Sequence, residues 1–167
     1  MTKQYHFLLG FVAGILTLLI SFLLRIFVTG VFIPELATQT FFSLIPGGLG
    51  AIAVGTLGVL AKYSTFVGAI VVNLILYGVF GMGLLEVSKK QLRKSHIKNT
   101  LQFSLIVYVF VLIVALTLLR LTEVLTQPIS LDHLMITLLP PHLLFGLILS
   151  YFNEKIGSRT LHITKQP

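Results

Sequence analysis

Two polar side chains stand out because they fall inside apolar runs, where hydrocarbon offers them no water to bond. His142 follows Pro140-Pro141 in the run from Leu134 to Phe152. A neutral imidazole there has the chemistry to ligate a haem iron or the magnesium of a chlorin, for which one axial ligand suffices. The same ring would serve the fold alone by bonding a carbonyl that the prolines set free, since proline supplies no N–H to the helical ladder. Asn73 lies near the middle of the run Thr65–Leu85. Its amide suits either a ligand or substrate contact or a bond between helices, with Tyr77 one turn on, Ser104 and Tyr108 as candidate partners.

The remaining chemistry-bearing residues point away from catalysis. His6, His96, His133 and His162 fall in loops, ends or tails, so a haem held by two histidines is not expected. Arg25 and Arg120 sit at the ends of apolar runs, with Glu123 one turn beyond Arg120. Snorkelling to the headgroups, or an Arg120–Glu123 pair, is the expected role of such residues. Glu86 and Glu123 also lie at run ends, and no carboxylate falls deep within a run. Proton relays and ion-coupled carriers need an ionisable group in the membrane interior, so a pump or secondary transporter is disfavoured. The chain has no cysteine, which excludes disulfides, iron–sulfur clusters and thiolate chemistry.

The elements that position these residues follow from composition. Of 167 residues, 56% are hydrophobic and 10% charged, against roughly 25% charged in a soluble domain. A water-soluble fold must cover its core with a polar shell, and these long uncharged stretches cannot do so. The chain is expected to be an all-α integral membrane protein in one membrane domain, with the lipid bilayer as its solvent. Four runs match the roughly 20 residues a helix needs to cross the bilayer: about 7–29, 65–85, 101–119 and 134–152. The first is too long for a signal-peptide core and leads into Val31-Phe32-Ile33-Pro34-Glu35, so it reads as a retained helix.

A fifth apolar stretch, about 41–61, carries Pro46, Gly47, Gly48 and Gly50 and is parted from the next run only by Lys62-Tyr63-Ser64. So short a connector hardly reverses a helix, and the stretch reads as a re-entrant or interfacial segment. Charge agrees. With the N-terminus inside, Lys3, Lys89, Lys90, Arg93, Lys94, Lys98, Lys155, Arg159 and Lys165 collect on the inner side, leaving Arg25, Lys62 and Arg120 outside. The positive-inside rule then predicts both termini in the cytoplasm; a prokaryotic plasma membrane is the expected location. The net charge of +7 is accordingly a topology signal. Its densest run, Lys89–Lys98, is a connector too short for a nucleic-acid-binding module, and no nucleic-acid partner is expected.

Gly10 and Gly14 form a GxxxG pattern, and Gly78, Gly81 and Gly83 cluster late in the second span. Such surfaces let helices approach closely, inside this chain or against a partner. Leu23-Leu24-Arg25-Ile26 recurs as Leu118-Leu119-Arg120-Leu121, and Pro34 with Pro46 repeats the spacing of Pro128 with Pro140, which raises an internal duplication.

The run Leu24-Arg25, Pro34-Glu35-Leu36-Ala37, Leu44-Ile45-Pro46 and Leu60-Ala61-Lys62-Tyr63-Ser64-Thr65-Phe66, followed by a Gly-containing span, resembles the N-terminal membrane region of molybdopterin-dependent oxidoreductases of the sulfite-oxidase type. The likeness covers about residues 7–85. It implies a membrane module that in that family precedes a molybdenum-cofactor domain outside the cytoplasm. With no cysteine to match the molybdenum ligand, no catalytic residue carries over. The expectation is a non-catalytic membrane subunit, anchor or assembly factor with membrane-protein partner subunits, possessing no enzyme activity of its own. The alternatives are a small transporter or channel component using Asn73 and the Pro46–Gly50 break, and a haem- or chlorin-binding subunit using His142.

Overall fold

The computed structural model describes residues 3–47, 52, 55–56, 58–89, 96–121 and 130–163. They form five helices, and no strand occurs among the described residues: α1 (Lys3–Phe27), α2 (Ile33–Leu44), α3 (Val59–Lys89), α4 (His96–Leu121) and α5 (Leu131–Ile163). Four stretches are long and apolar enough to cross a membrane: Lys3–Phe27, Val59–Val87, Lys98–Leu121 and Leu131–Phe152.

α1 packs against both α3 and α5. His6, Leu9, Gly10, Ala13, Gly14, Thr17, Leu18 and Ser21 recur at the three- and four-residue spacing of one helical face, and all are buried. The hydroxyls on that face are absorbed by the helix itself, Thr17 Oγ1 donating to Ala13 O (2.9 Å) and Ser21 Oγ to Thr17 O (2.9 Å). The glycines bring α3 against α1. A Cβ on Gly10 would lie 2.6 Å from Tyr77 O and 2.7 Å from the Gly81 Cα, and one on Gly14 would lie 2.6 Å from the Tyr77 Cβ. The GxxxG pattern therefore packs inside the chain, backbone on backbone. The helix closes where Gly30 N bonds Leu24 O (3.1 Å) across Thr29, whose φ of 56° is left-handed. A β-branched residue is strained there.

α5 lies antiparallel to α1 and α4. Its first turns meet the far end of α1, His133 Nε2 standing 3.3 Å from Thr29 O. Against α4, Tyr108 Oη donates to Met135 O (3.2 Å) and Ser104 Oγ to Leu143 O (3.3 Å). Gly146 makes this approach possible, because a Cβ there would collide with Ser104 Oγ and lie 2.7 Å from Thr100 O. α5 continues through Pro140 and Pro141. The spans therefore alternate in direction. The start of α1, the end of α3, the start of α4 and the end of α5 share one end of the bundle, the end with Lys3, Lys98 and Lys155; Arg25, Lys62 and Arg120 share the other. Lys90, Arg93, Lys94, Pro128 and Glu123, and with it the Arg120–Glu123 pair, lie outside the described residues.

The stretch taken as one partial segment over 41–61 divides. Its start belongs to α2, which begins as early as Ile33, Pro34 occupying the first turn where its missing N–H leaves no intrahelical bond unmade. The extended backbone at Ile45 ends that helix, and α3 begins at Val59. Within α2, Thr38 and Thr40 absorb their hydroxyls by donating to Pro34 O and Leu36 O (2.8 Å each). α2 bridges α3 and α4 at one end of the bundle, the ring of Phe32 at its start meeting Phe66 at a tilt with centroids 6.1 Å apart and Thr40 Oγ1 reaching Leu118 O at 3.5 Å.

Candidate functional site: a buried tyrosine–histidine centre

The polar centre of the bundle is built by α3, α4 and α5, half-way along their spans. His142 is 1% exposed and Tyr77 4%. The imidazole Nδ1 stands 2.5 Å from Leu138 O, a group that can only accept, so Nδ1 carries the proton. A neutral ring then leaves Nε2 as acceptor, and Tyr77 Oη, 3.0 Å away, donates to it. Phe145 closes the far side of Tyr77 with ring centroids 5.1 Å apart, and Tyr108 meets the imidazole edge-on at 6.4 Å. The chain Tyr77–His142–Leu138 satisfies both ring nitrogens in a setting where an unmet polar atom costs about 1–3 kcal/mol.

The carbonyl that His142 takes is the one four residues back. Those whose usual donors the two proline nitrogens replace belong to Ile136 and Thr137, so the expected rescue of a proline-freed carbonyl is not the bond that forms. As a metal ligand, His142 would first have to surrender Leu138 O or Tyr77 Oη. A second histidine is also buried within a span, contrary to the reading of His6 as an end residue: it is 3% exposed on α1. His6 is eight residues from Gly14, the α1 residue against Tyr77, or about 12 Å along the axis. The two rings are at different depths and do not share an iron.

Asn73 departs from its expected role. Tyr77 bonds His142, while Tyr108 and Ser104 bond α5 carbonyls. The half-buried Asn73 amide has no side-chain hydrogen bond among the described residues. It lies one turn from Tyr77, on the side of α3 that carries Phe80, which meets Phe110 of α4 at 4.7 Å.

Sequence reasoning also missed an ion pair. Arg25 Nε and Nη2 grip Glu35 Oε2 and Oε1 at 2.7 and 3.0 Å, the only salt bridge among the described residues. It ties the end of α1 to the first turn of α2, so Arg25 does more than snorkel. A polar pair ten residues apart across a helix break was the available signal.

The two antiparallel pairs share one geometry. Gly10 meets Gly81 where α1 crosses α3, and Ser104 meets Gly146 where α4 crosses α5. Four residues on along α1 and α4, and four back along α3 and α5, Gly14 faces Tyr77 and Tyr108 faces His142. Tyr77 and His142 thus hold equivalent places in the two pairs and bond each other at the centre. The proline spacing does not extend this likeness, Pro46 following α2 while Pro140 lies inside α5. Comparison with protein families, curated proteins and solved structures found no match for the chain.

Proposed function

We propose that the chain is a non-catalytic membrane subunit, an anchor or assembly factor that packs against a larger membrane complex. The observation that carries this reading is the division of labour between core and surface. The tyrosine, histidine and serine that meet at the centre are engaged by the fold's own hydrogen bonds. α3, by contrast, has 17% of its spanning window buried, against 50% for α5. Its outward face, Gly68, Val72, Ile75 and Val79, follows helical spacing, and Gly68 has open space where a Cβ would stand. Small residues flanked by β-branched ones suit close contact with another membrane helix.

Affinity purification of the full chain from native membranes in gentle detergent tests the proposal, with mass spectrometry of what accompanies it. Membrane proteins in fixed proportion are expected; migration of the chain without any contradicts the reading. The haem or chlorin alternative is weakened by the engagement of both His142 nitrogens. A purified protein without a Soret or red absorption band is the expected result. Transport rests on Asn73 and the Pro46–Gly50 break, and liposome flux unchanged by Asn73→Leu removes its main support.

A further inference from the structure

We propose that a second copy of this chain covers the side of α3 next to α4, the two α3 helices running parallel about a two-fold axis along the membrane normal. Ala69, Leu76 and Gly83 recur every seven residues, and so do Asn73, Phe80 and Val87. Taken together they step by four and three along the helix, the spacing of a two-stranded left-handed coil. The seam is open. Leu76 and Val87 are 42% and 59% exposed, and a Cβ on Gly83 would meet nothing. Within the bundle only one edge of it is used, where Phe80 rests on Phe110. In the shared geometry of the two helix pairs, α1 and α5 pack closely along their common seam, whereas α3 and α4 touch much less below α2.

Asn73 decides the occupant. Its amide lies in the apolar middle of the span with no hydrogen-bond partner among the described residues, and lipid tails offer neither donor nor acceptor. Rotation about the membrane normal keeps every residue at its own depth. A second copy therefore presents another Asn73 at the same level, and an amide is donor and acceptor at once. An asparagine in such a layer also fixes register and copy number. None of the seam residues from Ala69 to Val87 is charged, so no like charges oppose each other. The proposal goes beyond the subunit reading and uses a different face of α3.

Because the chain has no cysteine, Leu76→Cys, Val87→Cys and Val71→Cys each introduce one reporting thiol. The full chain in its native membrane is oxidised with copper–phenanthroline. Disulfide-linked dimers are expected at Leu76→Cys and Val87→Cys about tenfold above Val71→Cys, since bridging demands close Cα atoms. Adding Asn73→Ala to Leu76→Cys lowers the yield about three- to tenfold, the worth of a bond between membrane helices. Adding Asn73→Gln, which keeps the amide, lowers it less. Absence of dimers at both seam positions overturns the proposal. Equal linking at Val71→Cys overturns it too, as does a folded Asn73→Ala variant with unchanged yield or a monomer that retains bound phospholipid and links nowhere.

Discussion

Tyr77 Oη donates to His142 Nε2 across 3.0 Å, joining the helix most exposed to lipid to the one most enclosed. The bond draws its value from position. Both residues are buried, and the histidine's other nitrogen is already spent on Leu138 O. Tyr77→Phe leaves Nε2 without its donor. The expected loss is about 1–3 kcal/mol of stability, with a coupling of about 0.6–1.7 kcal/mol to His142→Leu. A double-mutant cycle in detergent unfolding measures this. Strictly additive single effects would mean the bond does not hold the bundle.

The approach of α1 to α3 gives a sharper contrast. Gly81→Ala drives a methyl into the Gly10 backbone, and Gly10→Ala drives one into Tyr77 O. Backbone does not yield as a flexible side chain would, so each change should cost about 1–3 kcal/mol. Gly68→Ala meets nothing within 4 Å, and the better helix propensity of alanine predicts a neutral or stabilising change of up to about 1 kcal/mol. Thermal melts of the three variants decide. A Gly68→Ala penalty equal to that of Gly81→Ala would show that propensity, not packing, governs.

Thr29 holds a left-handed φ of 56° at the end of α1. Glycine adopts that conformation freely, so Thr29→Gly should raise stability by about 1 kcal/mol, the lower end of the strain such a residue stores. Its carbonyl, which faces His133, is kept by any substitution. A lowered melting temperature would indicate that the threonine side chain carries a contact of its own.

The Arg25–Glu35 pair is well shaped but part-exposed, at 41% and 33%. Screening limits such pairs to about 0.2–1 kcal/mol. Glu35→Arg should therefore loosen α2 measurably only at low salt, and Arg25→Glu in the same chain should restore it. Protease access to the α1–α2 connection reports this. Failure of the swap to restore protection would remove the pair from the account of how α2 is held.

Much of the fold was legible because hydrocarbon imposes one solution: an apolar run long enough to cross becomes a helix. The four spans follow from that rule, and the glycine pattern of α1 already carried its packing partner. α2 was hidden because its polar start at Pro34–Thr40 falls between the apolar runs and Pro46 reads as a break, whereas proline in a first turn starts a helix. The centre was only half legible. His142 was marked by its place beside two prolines, but its partner is 65 residues away on another helix, and only the crossing of α3 and α5 brings them together. Asn73 was marked as well. Its setting could not be foreseen, because whether an amide faces a tyrosine or an open groove depends on the rotation of one helix against another.

On the proposed reading, Tyr77 and His142 hold the bundle while the outward face of α3 meets the partner subunits. The most direct test is quantitative mass spectrometry of what co-purifies, in gentle detergent, with His142→Leu and with Ile75→Trp, each expressed at native level. Folded His142→Leu should retain the wild-type set of membrane partners, and Ile75→Trp, with a bulky ring on the exposed face, should lose it. Loss of those partners from a folded His142→Leu chain, with Ile75→Trp retaining them, would contradict the claim.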